Sequence, residues 1–433
     1  MRQERRVVVT GLGLATPLGL DLEASWQKAL AGVSGIKKLS LPLSAKSPVQ
    51  AVGSVSADDW EEIKKYCNAY RIKEEERRTL FALWAAKEAI KDAGLMPDAA
   101  QKVNRDRFGA IIGTGVSINQ LEDIHRWVGK NKAFDLKQFG IESERVHSDS
   151  IMRYNTNRPA ALIAETFALS GYNASITTAC ASSAHSIGTG YRLIKRGDAD
   201  MTLVGGADAM INPVGLVFFV LLRAAATSSD TPEEVSRPFD RKRSGLVMAE
   251  GAGMAILEEE THALKRGASI YAEIAGYGSS MDAYKATAPH PKGIGAQQSM
   301  QAALVDSGLD PDDIDYINAH GTSTKLNDTA ETAAIKKVFG DHAYRLSVSS
   351  SKSIIGHLLA ASGAAEFVLT TLSVNRDEIH PTINLKHADP KCDLDYVPNI
   401  KKQMTVRAAL SNSFGFGGQN ATVIVKKYKE DAQ

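Results

Sequence analysis

Apolar and polar positions fall along this chain in alternating blocks. Leu80, Leu83, Trp84 and Ile90 recur at helical spacing and give one amphipathic helix its apolar stripe. That helix runs into AIKDAGLMPDA (Ala89–Ala99), where Gly94 is placed as a C-cap and Pro97 keeps the helix from resuming. ALVDSGLDPDD (Ala303–Asp313) repeats the arrangement with Gly308 and Pro311. After each helix comes a short run that predicts a strand ending in glycine, FGAIIGTG (Phe108–Gly115) and DYINAHGTS (Asp315–Ser323). These strands are apolar throughout, as in a sheet covered on both faces, and their alternation with helices predicts α/β layers of largely parallel strands.

Weaker parallels follow in the same order in both halves. RVVVTGLG (Arg6–Gly13) answers YAEIAGYG (Tyr271–Gly278), and ASITTACASS (Ala174–Ser183) answers LSVSSSKSI (Leu346–Ile354). EGAGMAILEE (Glu250–Glu259) answers GGQNATVIVKK (Gly417–Lys427). The pattern predicts a duplicated fold with halves at 1–260 and 261–433, a seam near Thr261–Ser269, and an irregular insertion over 116–160.

Composition narrows the class. The 433 residues are 43% hydrophobic with a formal net charge of +1, so no global charge points to nucleic acid or a membrane surface. No stretch is long and apolar enough to insert in a bilayer. The start, MRQERRVVVTGLG, reads as a strand entered directly and not as a signal peptide. Cys67, Cys180 and Cys392 are odd in number and widely spaced, which argues for a reducing, cytoplasmic setting and against a disulfide framework or a metal site.

Four segments concentrate chemistry. In SITTACASSAHSIGTGYRLIKRG (Ser175–Gly197), Cys180 sits where a strand enters a helix with Ile187, Tyr191 and Ile194 on its apolar side. N–H groups and the positive dipole end there favour thiolate and could hold an oxyanion. Taken alone, Cys180 fits a buried structural cysteine equally well. In NAHGTSTKLNDTAE (Asn318–Glu331), His320 follows a strand, Thr322 and Thr324 offer hydroxyls, and Asp328 and Glu331 suit the start of the next helix. In SSSKSIIGHLLAASGAAE (Ser349–Glu366), Lys352 and His357 precede a helix of small residues, where Glu366 is a partner for Lys352. In SNSFGFGGQNAT (Ser411–Thr422), glycines surround Phe414 and Phe416. A phosphate-cradling loop is a poor match there, because no GKS/T follows.

Together, TACASS, NAHGTST, SSKSIIGH and NSFGFGG resemble the β-ketoacyl-acyl-carrier-protein synthases, most closely the synthase II type. The resemblance runs from Arg6 to Lys427 and includes RPFDRKRSGLVMAEGAGMAILEE and HPTINL. It implies a thiolase-like fold with an α/β/α/β/α core, a homodimer, and decarboxylating condensation of an acyl thioester with malonyl-carrier in fatty-acid elongation. No bound cofactor is implied, since phosphopantetheine arrives on the acyl carrier protein. By resemblance Cys180 holds the acyl group, and His320 and His357 stabilise the enolate. Lys352 orients that pair and balances Glu366, with Asp328 and Glu331 as further structural support. The N–H groups of Cys180 and Phe416 form the oxyanion hole, and Thr322 and Thr324 hold the pantetheine arm. Phe416 gates the acyl pocket, with Phe414, Phe219 and Val116 beside the substrate.

Lys325, Ser244, Leu246 and Gln419 depart from the family pattern. VSINQL (Val116–Leu121) and FFVLLR (Phe218–Arg223) are bulkier than usual, which keeps a specialised polyketide or polyene ketosynthase open. A thiolase would need a second catalytic cysteine, and neither Cys67 nor Cys392 lies in a glycine-rich loop. A non-catalytic partner subunit would lack Cys180. For an acidic carrier, two basic clusters offer themselves: Arg71, Lys73, Arg77 and Arg78, or Arg241, Lys242 and Arg243.

Overall fold

A computed structural model describes residues 5–41, 46–72, 74–96, 103–116, 127–142 and 155–430. Lys73, Pro97 and much of the 116–160 insertion, including 117–121, lie outside the described residues.

The run RVVVTGLG forms strand β1 (Val7–Ala15), buried along its whole length. Gly13 lets helix α1 (Arg77–Asp92) lie directly on it, since a Cβ there would sit 2.1 Å from the Ala85 carbonyl oxygen. The first half continues through β2 (Phe108–Thr114), α2 (Arg158–Phe167), β3 (Asn173–Ile176) and α3 (Ser182–Arg196). It closes with β4 (Met201–Asp208), α4 (Pro213–Leu221) and β5 (Gly251–Glu259). The second half runs β6 (Ala272–Met281), α5 (Ile294–Ser307), β7 (Tyr316–Asn318), α6 (Lys325–Phe339) and β8 (Ser347–Ser349). Helix α7 (Ser362–Arg376), β9 (Ala408–Phe414) and β10 (Gln419–Lys426) complete it.

In space the strand order is β3-β2-β4-β5-β1 in one half and β8-β7-β9-β10-β6 in the other. Each strand of the first half therefore has a counterpart five strands later. The paired segments picked out in the sequence are these counterparts. Gly94 and Gly308 end α1 and α5 at φ +69° and +65°, in the left-handed region that suits glycine.

The expectation of largely parallel strands needs correction. β2 lies parallel to β3 and β4, and β7 parallel to β8 and β9. The pairings β4–β5, β5–β1, β9–β10 and β10–β6 are antiparallel. An all-apolar strand records burial on both faces; it does not record direction.

β1 and β6 meet antiparallel only over Val7–Val9 and Ala272–Ile274, which joins the two half-sheets. Helices α1 and α2 cover the outer face of the first half-sheet, and α5 with α6 that of the second. Helices α3 and α7 pack on each other between the half-sheets, α3 reaching β4 and β10 and α7 reaching β5 and β9. This gives five layers, helix, sheet, helix, sheet, helix, with the central helices contributed one by each half.

Candidate active site

The ends of β3, β7 and β8, with the β9–β10 turn, converge on one cavity of about 420 Å³. Cys180, His320, His357, Thr322, Thr324, Phe414 and Phe416 all line it.

Cys180 lies just before α3, on a turn that places Ala179 at φ +50°. A non-glycine residue held there stores backbone strain, which the surrounding packing must enforce. Ser182 fixes the turn: its Oγ accepts from the Thr178 N–H at 2.8 Å and donates to the Ala179 carbonyl at 2.6 Å. The glycine-rich turn closes against it. A Cβ at Gly415 would stand 2.7 Å from the Thr178 carbonyl oxygen, so only glycine permits this approach. The closeness brings the Phe416 N–H to the Cys180 thiol.

The expected resting thiolate is reversed by burial. Cys180 is only 5% exposed, and desolvation pushes its thiol up to about 12. The nearby Lys352 charge and the Phe416 N–H pull it back only in part.

Both histidines are buried and stand edge to face, their rings 5.4 Å apart. Lys352 Nζ lies 3.3 Å from His320 Nδ1, and an ammonium group can only donate. The Leu359 backbone N–H donates to His357 Nδ1 at 3.1 Å, and Ser362 Oγ lies 2.8 Å from the same nitrogen. Each Nδ1 is thus an acceptor, which puts the ring proton on Nε2. Burial, with the Lys352 charge, holds both imidazoles well below the ordinary histidine range and therefore neutral.

Lys352 is itself fully buried and forms an ion pair with Glu366 on α7. Glu331 grips the His320 loop, its two oxygens accepting the N–H groups of His320 and Gly321 at 2.8 Å each. Asp328 accepts the Phe239 N–H at 2.9 Å and faces Arg243 at 3.4 Å. Asp328 lies in the first turn of α6 as expected and Glu331 one turn further in; both point into the interior and anchor loops there. That role needs the tertiary fold and has no local signal.

Thr322 and Thr324 share a 2.9 Å hydrogen bond at the cavity wall. Phe219 sits behind the cavity, its ring 6.4 Å from that of Phe416 in a common apolar cluster. Val116 is not brought in: it is 58% exposed beyond the end of β2.

The basic clusters are largely taken apart. Arg78 is 2% exposed and pairs with Glu76, and Arg77 pairs with Glu250 over the Trp60 ring. Arg243, also 2% exposed, binds Asp389 and the Thr324 carbonyl. Of the described members, Arg71, Arg241 and Lys242 are exposed and Arg77 is half-buried. Sequence reading missed the part Ala179 and Ser182 play in shaping the turn, and missed Ser362 and Asn318 altogether. Asn318 donates to Ser351 and Thr370 at 3.0 and 3.2 Å beneath the site. Among the described residues, no cluster of metal-ligating side chains occurs and no helix is long and apolar enough to cross a membrane.

The sequence matches the beta-ketoacyl synthase N-terminal domain over residues 4–263 and its C-terminal domain over 271–386. It is 41% identical over 428 residues to 3-oxoacyl-[acyl-carrier-protein] synthase 2 of Synechocystis sp., covering 99% of both chains. The enzyme of the same name from Coxiella burnetii is 40% identical over 98% of this chain and 99% of its own. Among solved structures, a type II PKS acyl-carrier protein in complex with its ketosynthase bound to a hexaketide superposes with TM-score 0.87 at 32% identity. The match covers 98% of this chain and 100% of that one. A beta-ketoacyl synthase from Burkholderia phymatum superposes with TM-score 0.85 at 31% identity, again over 98% and 100%.

Proposed function

This chain belongs to the β-ketoacyl synthases, and from that premise we propose how its own residues carry out the condensation. It is an acyltransferase that elongates a fatty acyl chain by decarboxylating condensation. The observation that carries the residue roles is the shared tautomer of His320 and His357: two neutral rings, each with Nε2–H, on one cavity with Cys180.

In the first half-reaction the Cys180 sulfur attacks the thioester carbon of an acyl-carrier. The new S–C bond replaces the bond to the pantetheine sulfur, and the Cys180 proton leaves on that thiol. The N–H groups of Cys180 and Phe416 hold the oxyanion of the tetrahedral intermediate. In the second half-reaction malonyl-carrier loses carbon dioxide. The two Nε2–H groups donate to the enolate oxygen, which spreads the charge without a strong base. The enolate carbon attacks the acyl carbon on Cys180, the sulfur departs, and one proton from solvent restores the thiol. Lys352 serves His320 by keeping its Nδ1 an acceptor, and Glu366 balances the buried charge.

Thr322 and Thr324 offer hydroxyls to the amides of the pantetheine arm, and exposed Arg241 and Lys242 suit an acidic carrier. The bare apolar side chains Val217, Phe218 and Leu221 on α4 favour a homodimer. The three free cysteines suit a reducing, cytoplasmic setting.

Cys180→Ala tests the reading in an assay with defined acyl-carriers and malonyl-carrier. We expect condensation to disappear while the melting temperature is kept, because alanine fits this small-residue turn. Condensation by the folded variant would remove Cys180 from the mechanism. Bulky Phe219, its ring 6.4 Å from that of Phe416, favours a second reading, a ketosynthase of a specialised pathway. Rejection of every straight saturated chain in the same assay would favour it.

A further inference from the structure

His357 owes its tautomer to two neighbours on Nδ1, the Leu359 N–H and Ser362 Oγ. Both lie in the short link between this histidine and α7. Leu359 opens a single 3-10 turn (Leu359–Ala361), and Ser362 is the first residue of the helix. The link does not hold itself in place. Leu359 stands at φ +53°, in the left-handed region, and a leucine stays there only where its surroundings enforce it. Ala361 occupies the N-cap of α7 and has no side-chain acceptor with which to cap it.

The enforcement comes from the other half of the chain. Asp208, the last residue of β4, is 3% exposed and reaches across to the link. Its Oδ2 accepts the Ala360 N–H at 3.1 Å, and its Oδ1 accepts the Ala209 N–H at 2.9 Å. Ser183, in the first turn of α3, accepts the Ala364 N–H at 2.9 Å through its Oγ. Ala364 is the third residue of α7, whose N–H an N-cap side chain ordinarily takes. Ser183 thus supplies from the first half the cap that Ala361 lacks. Each group on His357 Nδ1 therefore has a first-half side chain gripping the backbone within two residues of it.

The grip at Ala360 is a charged one. Burial pushes the Asp208 carboxyl up to about 6, while its two N–H donors and the Arg78 charge work against a larger rise. Arg78, itself buried on α1, donates to the Gly115 carbonyl at 3.3 Å. A carboxylate bonded to backbone N–H groups makes charge-assisted hydrogen bonds, roughly twice as strong as neutral ones. Neither Asp208 nor Ser183 is among the residues lining the cavity, so both act at one remove from substrate.

We propose that Asp208 and Ser183 are positioning residues for the decarboxylation, holding the Leu359–Ser362 link so that His357 keeps Nδ1 occupied and presents Nε2–H to the cavity. The proposal rests on the reading of His357 as a donor to the enolate. Ser183 lies three residues after Cys180, so the same bracket ties the place of the donor to that of the nucleophile.

The test uses full-length protein and two rates: carbon dioxide release from malonyl-carrier, and acylation of Cys180 read by intact-protein mass. Asp208→Ala should lower carbon dioxide release about tenfold, part of the ~10²-fold that a misplaced group can cost, and should not slow acylation. Asp208→Asn restores one acceptor and should fall between. In a His357→Ala background, Asp208→Ala should cost nothing further, because no ring remains to be positioned. Histidine-selective nitrogen-15 spectra should show His357 protonated on Nε2 alone in the parent and as a mixture of tautomers in Asp208→Ala. Ser183→Ala, a smaller change, should move both readouts in the same direction, and it carries the comparison if Asp208→Ala does not fold. A cost that persists undiminished in His357→Ala makes Asp208 a purely structural residue and overturns the proposal. So does a parental tautomer, or a parental rate of carbon dioxide release, in the folded single variants. If His357→Ala releases carbon dioxide as fast as the parent, the donor reading of His357 fails instead.

Discussion

Two junctions occupy the same place in the two halves of the molecule and have opposite chemistry. After β3 the chain makes a turn of small residues, presents a thiol at Cys180, and enters α3. After β8 it buries the charge of Lys352, presents His357, and enters α7. The strand ends beside them diverge in the same way. β2 runs out into Gly115, where β7 runs out into His320. Duplication thus supplied two matching ridges facing one cavity, and the residues on them divided the work. One ridge carries a buried thiol, which the proposed mechanism uses as the acyl acceptor; the other carries a buried lysine and histidine, which it uses as a fixed polar environment for the carbanion. Shared topology fixes where a group stands. What it does there depends on what is buried with it.

Breaking the ion pair should have the largest effect. Lys352→Met makes the second junction as uncharged as the first and leaves Glu366 buried without its partner. Removing one member of a buried pair typically costs about 3–5 kcal/mol. Urea unfolding should show that loss, and Lys352→Met/Glu366→Leu should recover much of it. If the single variant is as stable as the parent, the pair is not what holds this ridge.

Removing one donor should come next. His357→Ala takes away an Nε2–H that the proposed mechanism directs at the enolate alone. Loss of one such donor in general costs about 10²–10³ in rate. Carbon dioxide release from malonyl-carrier should fall by that order, while mass spectrometry still finds Cys180 acylated. Equal loss of both half-reactions would mean that the ridges do not divide the chemistry.

The mildest perturbation changes no residue. Burial holds the Cys180 thiol up to about 12, so the thiolate fraction, and with it iodoacetamide alkylation, should be low at neutral pH. Below its pKa a thiol gains about tenfold in thiolate for each pH unit, so the rate should still be climbing at about pH 9, where an ordinary cysteine of pKa ~8.5 levels off. A plateau below pH 8 would show a resting thiolate and make the first junction as charged as the second.

Much of this was legible in the residues. Gly94 and Gly308 announced equivalent helix ends because a left-handed cap leaves a local signature. Four motifs held Cys180, His320, Lys352, His357 and Phe416 in order, and the structure gathers them at one place. Strand direction was not legible, since apolar content looks the same either way. The protonation of Cys180 was misjudged because a helix N-terminus is visible in sequence and the depth of a cavity is not. Arg78 and Arg243 looked like solvated cations for the same reason: their acids, Glu76 aside, lie far away along the chain. Ala179 has no signal at all. Its strain belongs to the contact between the nucleophile turn and Gly415.

The central helices have a consequence for how such a chain can arise and be handled. Each half contributes a helix that rests one face on its own sheet and has a second apolar surface covered by the other half's helix and sheet. A half made by itself would leave that surface bare, so it would have to find a second copy of itself to stay in solution. The chain is in this sense a pair of subunits fused end to end, and it should melt in one step. A gene cut near the seam should yield nothing soluble unless both fragments are produced together.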